Sequence, residues 1–440
     1  MGGFNEFMEY AECYYGVTSN MMTDLMLKIK AENVSTKAMD IEKEKEFQSL
    51  SKPIHICIVN GTNPVAYHLI PHLANGKIFG SEVEISIRLL DKPTAQVSLQ
   101  GIQMEIEDLA YPLVRKIEVY ENSRAAFQNA SVIIFLETDA KDELTHLELL
   151  LQNHETYKRY AEEINEVALS NVKIILSGSG TVNFNSHVLV EYGKNINKQN
   201  IVAMSKLQER RAQASLARKM QVSTAGVTNV VVWGNCANNA PKSSYYIDVI
   251  SAVVRKYDGA IWGPDWYSRA LSELVYDKKW LTGDFVEEHA THNSELMNGL
   301  RHHSSLSEAA SLSCLLHDWI QGVESENVYS LGVESEGWYG VSGCVFSMPV
   351  RFKDGSYQVV WDLELSDETK EKIKKIEVEL KKDLRVAFKV EDHLENEVFS
   401  EDATLISSMM NQTESPSKTP GEKLEVIREE DSEEQQEKTE

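Results

Sequence analysis

The sequence predicts an α/β protein in which a doubly wound parallel sheet is followed by an α+β region. Two observations carry this prediction. Short runs of β-branched residues alternate with helical segments from residue 54 to about residue 233, which is typical of a parallel sheet with helices on both faces. After about residue 240 this alternation ends, and the turn Lys353-Asp-Gly355 between two apolar runs indicates an antiparallel hairpin.

The first region begins with an apolar run that ends at Gly61 and leads directly into a helix. Pro64 stands near the first helical turn, where its missing N–H group costs least. The apolar periods predict strands at 54–61, 83–90, 116–120, 131–136, 172–176, 201–204 and 229–233. They predict helices at 65–73, 123–128, 144–170 and 209–220.

The second region shows a different order of elements. We expect helices at 266–276 and 304–322, and strands at 328–333, 343–351 and 356–363. Ser366, followed by two acidic residues, is a good N-cap for a long charged helix that should end near residue 390. These patterns divide the chain into a helical extension and linker (1–50), a first α/β domain (51–205), a second domain (206–390) and an acidic tail (391–440) too poor in apolar residues to fold.

Charge and cysteine content exclude several classes of function. The 440 residues carry a formal net charge of −24, which argues against binding to nucleic acids or anionic membranes. No apolar run approaches the roughly 20 residues of a membrane span and no signal-peptide pattern is present, so we expect a cytoplasmic location. The five cysteines are scattered and lack zinc-site spacing, which predicts free thiols and no metal site.

A βαβ unit with glycine at its first turn indicates a dinucleotide site in the domain 51–205. Gly61 permits a tight turn after the first strand, and the helix that follows offers N–H groups to a pyrophosphate. Asp91 closes the second strand and can accept hydrogen bonds from ribose hydroxyls. The alternative for Asp91 is a turn residue at the end of a strand.

The strand sequence Val-Val-Val-Trp-Gly-Asn-Cys at 230–236 resembles the active-site strand of cytosolic-type malate dehydrogenase, in the malate/lactate dehydrogenase superfamily. The stretches 90–91 and 328–350 resemble the same enzyme, and so does 101–113, which the resemblance implies is a helix. The resemblance runs from about residue 53 to residue 389. The substitutions, the acidic tail and the front extension together resemble a divergent branch of that family. The resemblance implies a dinucleotide-binding domain, a substrate domain after it, and NAD-dependent oxidation of malate to oxaloacetate.

That reaction sets clear chemical requirements. Malate oxidation removes a hydride from carbon and a proton from the adjacent hydroxyl group. Histidine suits the proton transfer because its pKa lies near neutral pH, and an aspartate behind it fixes its tautomer. Arginines bind the dicarboxylate because their planar fork matches the geometry of a carboxylate.

The resemblance places different residues in several catalytic positions. The histidine position is Cys236, and the position of its aspartate partner is Gln208. The substrate arginine of the same helix is retained as Arg211, whereas the two arginines of the mobile loop fall at Ala140 and His146. Cys236 is expected to be inert, with a redox-sensitive or catalytic thiol as the alternative. Arg211 is either a retained anion site or the partner in a structural ion pair.

The cofactor positions are retained in part. Gly61, Asp91 and Asn153 match the family's cofactor-binding residues. Asn63 stands where the family has its second glycine, and Ser179 replaces an asparagine that contacts cofactor and substrate. The resemblance therefore implies NAD as a possible cofactor, with weakened binding.

Three functions stay open from the sequence. The first is a malate dehydrogenase-family member with greatly reduced or no activity. The second is a non-catalytic dinucleotide-binding scaffold or sensor. The third is an oxidoreductase with a changed, non-dicarboxylate substrate, because the loop that should carry arginines is acidic. The resemblance also implies a homodimer, packed through the stretches 104–114 and 261–274.

Overall fold

The computed structural model describes Leu27, Lys28 and residues 52–138, 144–255, 267–322 and 327–396, with side chains of the last helix described as far as residue 389. Most of the helical extension predicted at 1–50, and the tail beyond residue 396, lie outside these residues. Ala140 also lies outside them.

Six parallel strands with intervening helices form the first half of the described fold. In chain order the elements are β1 (Ile54–Val59), α1 (Pro64–Ala74), β2 (Ile85–Leu90), α2 (Gln96–Asp108), β3 (Val114–Tyr120), α3 (Ser123–Phe127), β4 (Val132–Glu137), α4 (His146–Val167), β5 (Lys173–Gly178), α5 (Val182–Tyr192) and β6 (Ile201–Met204). The strands lie in the order β3-β2-β1-β4-β5-β6. Because the order reverses beside β1, the carboxyl ends of β1 and β4 border the crevice where such sheets bind ligands.

The second half extends the same sheet with antiparallel strands. Its elements are α6 (Lys206–Met220), β7 (Val227–Thr228), β8 (Val231–Gly234), β9 (Tyr245–Asp248), β10 (Val253–Arg255), β11 (Ser268–Ala270), α7 (Leu271–Leu274), α8 (Lys278–Thr282), α9 (Asp284–Leu300), α10 (Ser305–Gln321), β12 (Tyr329–Glu336), β13 (Ser342–Lys353), β14 (Ser356–Val359) and α11 (Asp367–Asn396). Strands β12, β13, β8 and β9 continue from β6, β14 pairs with β13, and β7, β10 and β11 form a small separate sheet. This arrangement confirms the predicted α/β fold class.

Burial explains why the apolar runs form the centre of the sheet. All six residues of β2 are buried, and so are the first five residues of β4, as expected for parallel strands with helices on both faces. Local signals fix the helix ends. Thr145 and Glu148 form a capping box at the start of α4, in which each side chain bonds the backbone of the other.

The predicted elements after residue 240 needed the most correction. The helix expected at 266–276 is wrong for its described part, because Ser268–Ala270 is a strand paired with Val253–Arg255 and only Leu271–Leu274 is helical. In the first half of the chain, the helix expected at 101–113 occupies Gln96–Asp108 instead. Helix α9 was not predicted, because it buries only Phe285 and His289 and so lacks a regular apolar stripe. The last helix continues to Asn396, past the predicted start of the tail.

The chain divides into two compact units, and the boundary lies between Arg385 and Val386 in the last helix. No helix among the described residues has both the length and the apolar content needed to cross a membrane.

Candidate active site and cofactor edge

The turn after β1 lies at the carboxyl edge of the parallel strands. Asn60, rather than Gly61, takes the left-handed backbone conformation, with a φ of 59°. Gly61 is required for a different reason, since a Cβ there would lie 3.0 Å from both Leu89 Cβ and Leu99 Cδ2. The sequence predicted that Gly61 forms the tight turn, but the left-handed residue of the turn is Asn60, one position earlier. Gly61 instead allows the backbone to pass close to β2 and α2.

Asp91 closes this turn from the end of β2. Its Oδ2 atom accepts hydrogen bonds from Thr62 N at 3.0 Å and Thr62 Oγ1 at 2.6 Å, and its Oδ1 atom accepts one from Lys92 N at 2.8 Å. Asn63 is the N-cap of α1, and its Oδ1 atom accepts from Val65 N at 2.9 Å. Two N–H groups that could serve a pyrophosphate, those of Thr62 and Val65, are therefore engaged by side chains of the chain itself.

Asn153 and Ser179 lie further along the same edge. Asn153 Nδ2 donates to Thr181 Oγ1 at 2.8 Å, and that hydroxyl donates to Asn185 Oδ1 at 3.0 Å. Asn185 Nδ2 in turn donates to Glu137 Oε2 at 3.0 Å. Ser179 is buried, and its backbone N–H donates to the Glu137 carbonyl at 3.3 Å. One hydrogen-bond chain thus connects the predicted cofactor residue Asn153 to the last residue of β4.

Glu137 anchors that chain. Its Oε1 atom accepts a hydrogen bond from the Tyr157 hydroxyl, and the enclosed position of its carboxyl group raises the pKa of Glu137 to about 8. The backbone of Gly178, with a φ of +126°, lies so close to Glu137 that a Cβ at this position would collide with the Glu137 carbonyl. Sequence reasoning did not identify this carboxyl group as part of the site.

The Cys236 side chain is buried beneath β12. Its Sγ atom accepts a hydrogen bond from Ser205 Oγ at 3.2 Å, and a Cβ at Gly332 would collide with it. Burial raises the pKa of the Cys236 thiol to about 12, so the thiolate form is strongly disfavoured at neutral pH. Cys236 lines neither of the two cavities beside it.

Gln208 lies near Cys236 in the fold but bonds a different group. Its Nε2 atom donates to the Ala237 carbonyl at 2.5 Å, which fixes the orientation of the amide. The Oε1 atom of Gln208 is buried without a hydrogen-bond partner. The hydrogen bonds of Gln208 and Cys236 therefore lead away from each other, and the pair does not reproduce a base and its orienting carboxylate.

Arg211 lies one turn further along α6 and lines a cavity of about 380 Å³. Its Nη1 atom donates to the Asn238 carbonyl at 3.0 Å, and its Nη2 atom donates to Ser304 Oγ at 2.9 Å and Asn293 Oδ1 at 3.3 Å. Arg211 is 9% exposed, and desolvation lowers the pKa of its guanidinium group. The retained arginine is thus already held by three acceptors of the chain.

Glu308, in the first turn of α10, is a buried carboxyl group of this region that sequence reasoning missed. Its Oε1 atom accepts from Ser177 Oγ at 2.6 Å, and its Oε2 atom accepts from Asn238 Nδ2 at 2.7 Å. Glu308 is 4% exposed, and burial raises its pKa to about 7. No local pattern distinguishes this residue from other acids in a first helical turn.

His289 lines the same cavity but both of its ring nitrogens are engaged. Nε2 lies 3.1 Å from the Gln208 carbonyl and must donate to it, which leaves Nδ1 to accept from the Tyr245 hydroxyl at 3.1 Å. Burial lowers the pKa of His289 to about 4. His289 is therefore a neutral structural histidine at physiological pH. No cluster of metal-binding side chains occurs among the described residues.

His146 lies on the other side of the loop that contains Asn239. It lines a second, larger cavity of about 640 Å³, and its Nε2 atom lies 3.1 Å from Asp383 Oδ1. This contact raises the pKa of His146. Asn239 lines both cavities, so they are adjacent. His146 and Arg211 nevertheless face different cavities, and the structure does not bring these two predicted substrate residues together.

The class of protein follows from the fold and this site. The first domain has a parallel sheet in the order 3-2-1-4-5-6, with a glycine turn after its first strand and an aspartate at the end of its second. A mixed domain with a buried arginine follows. This combination is typical of two-domain nicotinamide-dinucleotide dehydrogenases. Residues 54–202 match the family model for the lactate/malate dehydrogenase NAD binding domain, and residues 205–391 match the model for its alpha/beta C-terminal domain. The chain belongs to the lactate/malate dehydrogenase family, as the sequence motifs predicted.

Relatives in that family are similar to this chain over most of its length. The chain is 38% identical over 385 residues to a Branchiostoma floridae protein named "Putative malate dehydrogenase 1B", covering 86% of this chain and 72% of the relative. It is 36% identical to the Bos taurus protein of the same name, covering 82% and 75% of the two chains. Residues 1–49 match the model for the N-terminal domain of these proteins. The cytoplasmic malate dehydrogenase of Beta vulgaris is 26% identical, covering 77% and 98%.

Solved structures show the same fold. The malate dehydrogenase of Naegleria fowleri superposes with a TM-score of 0.68 at 23% identity, covering 77% of this chain and 99% of that chain. A lactate dehydrogenase of Trichomonas vaginalis, in complex with NADH and oxamate, superposes with a TM-score of 0.68 at 23% identity, covering 76% and 98%.

Proposed function

We propose that this protein is a malate dehydrogenase-like protein that binds NAD weakly and has greatly reduced or no malate–oxaloacetate activity. One observation carries the proposal. The family's catalytic histidine position is occupied by Cys236, whose buried thiol has a pKa raised to about 12 and faces neither cavity. A group that holds its proton so strongly does not serve as a general base near neutral pH.

The size of the expected defect supports this reading. A positioned general base contributes roughly 10²–10⁴ to the rate, and an electrostatic donor contributes roughly 10²–10³. These factors are not additive, because the residues act as a unit. Cys236, Gln208 and Ala140 nevertheless all lack the group that the resemblance requires, and His146 faces a different cavity from Arg211.

The residues that would hold NAD are Gly61, Asn63, Asp91, Asn153 and Ser179. Gly61 fits this role because its missing Cβ keeps the turn close to β2, and Asp91 stands at the strand end where a ribose would bind. Bound NAD would accept the hydride. We expect weakened binding because the Asp91 carboxylate and the N–H groups of Thr62 and Val65 must first leave their present hydrogen bonds.

Two other functions keep specific support. A non-catalytic dinucleotide-binding scaffold or sensor would retain the binding edge without a base. An oxidoreductase with a non-dicarboxylate substrate is favoured by Arg211, whose guanidinium group already has three acceptors within the chain. We also propose a cytoplasmic homodimer, and the exposed apolar side chains of Val97 and Met104 on α2 support a partner surface there.

The proposal is tested by titrating the purified full-length chain with NADH and then adding oxaloacetate to the same sample. We expect weak, saturable binding of NADH, with no NADH oxidation above the background after oxaloacetate is added. A histidine-containing cytosolic malate dehydrogenase is the positive control. Rapid NADH oxidation would contradict the proposed loss of activity, and the absence of any NADH binding would contradict the cofactor assignment.

A further inference from the structure

Arg211 and Glu308 form a charge pair mediated by one residue. The backbone carbonyl of Asn238 accepts from Arg211 Nη1 at 3.0 Å, and the side-chain Nδ2 of the same asparagine donates to Glu308 Oε2 at 2.7 Å. Both charged residues are at least nine-tenths buried. A buried guanidinium group needs a nearby negative charge because removing it from water is costly.

The N-terminus of α10 explains how the two groups come together. Ser304, the N-cap residue, accepts from Arg211 Nη2 at 2.9 Å, and Glu308 lies in the first turn of the same helix. Ser177, at the end of β5, holds the other carboxylate oxygen at 2.6 Å. Glu308 is thus fixed on two sides, and its charge stays beside the cavity that Arg211 lines.

We propose that Glu308 supplies from within the chain the negative charge that a carboxylate substrate would otherwise bring to Arg211, and so excludes dicarboxylates from this cavity. Glu308 is then a specificity-determining residue, and the cavity favours small neutral polar ligands. Among the lining residues described, Arg211 is the only buried cation of the cavity. A dicarboxylate bound to Arg211 would lie near the negative charge of Glu308, and two like charges brought together repel each other strongly.

Protonation of Glu308 provides a second way to test the proposal, because it removes the negative charge without a mutation. Burial raises the pKa of Glu308 to about 7, so lowering the pH from 8 to 7 neutralises about half of its charge. Its other facing groups, Ser177 and Asn238, do not titrate in this range. Around Arg211, burial raises the pKa of Tyr245 and lowers those of His289 and His292, so these groups stay neutral between pH 7 and 8.

The test is calorimetric binding of L-malate to the full-length chain without cofactor. At pH 8, we expect Glu308→Gln to bind L-malate at least about tenfold more tightly than the wild type. Glutamine preserves both contacts, because its carbonyl can accept from Asn238 and its amide can donate to Ser177. The matched control is Glu287→Gln, which removes one exposed negative charge from the neighbouring helix. It should leave malate affinity unchanged.

Two results would overturn the inference. The first is equal malate affinity in Glu308→Gln and wild type at pH 8, with both chains folded by circular dichroism. The second is a gain in malate affinity from Glu308→Gln that persists when Arg211 is also replaced by glutamine. If Glu308→Gln does not fold, the wild type decides the matter. Its malate affinity should rise from pH 8 to pH 7, the range in which His289 and His292 stay neutral, and a constant or falling affinity would contradict the inference.

The inference rests on the proposed function in assigning Arg211 to the substrate cavity, but the two can fail separately. Glu308→Gln should bind malate without turning over oxaloacetate, because no base has been restored. If Glu308→Gln does not bind malate, the proposed role of Glu308 is refuted, but the proposed loss of activity is not. Efficient oxaloacetate reduction by the tight-binding variant would refute the proposed loss of catalytic groups instead.

Discussion

Glu137 gives a prediction whose magnitude follows directly from the structure. The residue is partly exposed, but its carboxyl group is enclosed between Tyr157 and Asn185, and its pKa is raised from 4.5 to about 8. The folded chain therefore holds a proton that the unfolded chain releases above about pH 4.5. The stability associated with this proton is fully present below pH 4.5 and is lost as the pH rises towards 8.

Glu137→Gln removes this dependence because glutamine cannot ionise. Its carbonyl can accept from Asn185 and its amide can donate to the Tyr157 oxygen, so the hydrogen-bond chain is preserved. The difference in pKa corresponds to an upper limit of about 5 kcal/mol. We therefore expect variant and wild type to have similar free energies of unfolding near pH 5, and the variant to be more stable by up to about 5 kcal/mol at pH 9.

Urea denaturation followed by tryptophan fluorescence at pH 5, 7 and 9 measures this difference. Glu121→Gln, which changes an exposed acid at the end of β3, is the control and should shift stability equally at each pH. If the free-energy difference between Glu137→Gln and wild type is the same at pH 5 and pH 9, the Glu137 carboxyl does not hold its proton in the folded state and the reasoning is wrong.

Three further predictions concern catalysis, cofactor and assembly. Cys236→His should raise oxaloacetate reduction by less than about tenfold, since Gln208 stays neutral; a rise of about 10³ or more would show that the histidine alone was missing. Asp91→Ala should bind NADH more weakly than wild type by calorimetry, and equal affinities would make Asp91 purely structural. A chain ending at Val390 should remain a dimer by light scattering, because we place the interface on the dehydrogenase fold. A monomeric mass of the full chain at micromolar concentration would refute the dimer, whereas a dimer lost only on truncation would assign the interface to the tail.

The parallel half of the fold was predictable because burial on both faces produces continuous apolar runs. Strand β2 buries all six of its residues, and the predicted span 83–90 differs from it by only two residues. The second domain was less predictable. Helix α9 buries only Phe285 and His289 from its 17 residues, so no apolar stripe identifies it. The pairing of Ser268–Ala270 with Val253–Arg255 is a tertiary contact, and local periodicity alone favoured a helix there.

Candidate site residues could be proposed from the sequence where a motif fixes a position in the chain. Cys236 and Gln208 were proposed from their neighbours in sequence, and the structure places Gly61, Asn63 and Asp91 together at one turn. The partners of these residues were not predictable. Glu308 bonds Ser177 across 131 positions of sequence, and only the three-dimensional fold brings them together.

We propose that this chain keeps the dehydrogenase fold without the groups that move a proton and bind a dicarboxylate. The most direct measurement is kcat/KM for oxaloacetate reduction with saturating NADH at pH 7.5. We predict a value at least ~10⁴-fold below that of a histidine-containing cytosolic malate dehydrogenase assayed in parallel. A value within the ordinary enzyme range of ~10⁴–10⁸ M⁻¹s⁻¹ would contradict the proposed loss of malate dehydrogenase activity.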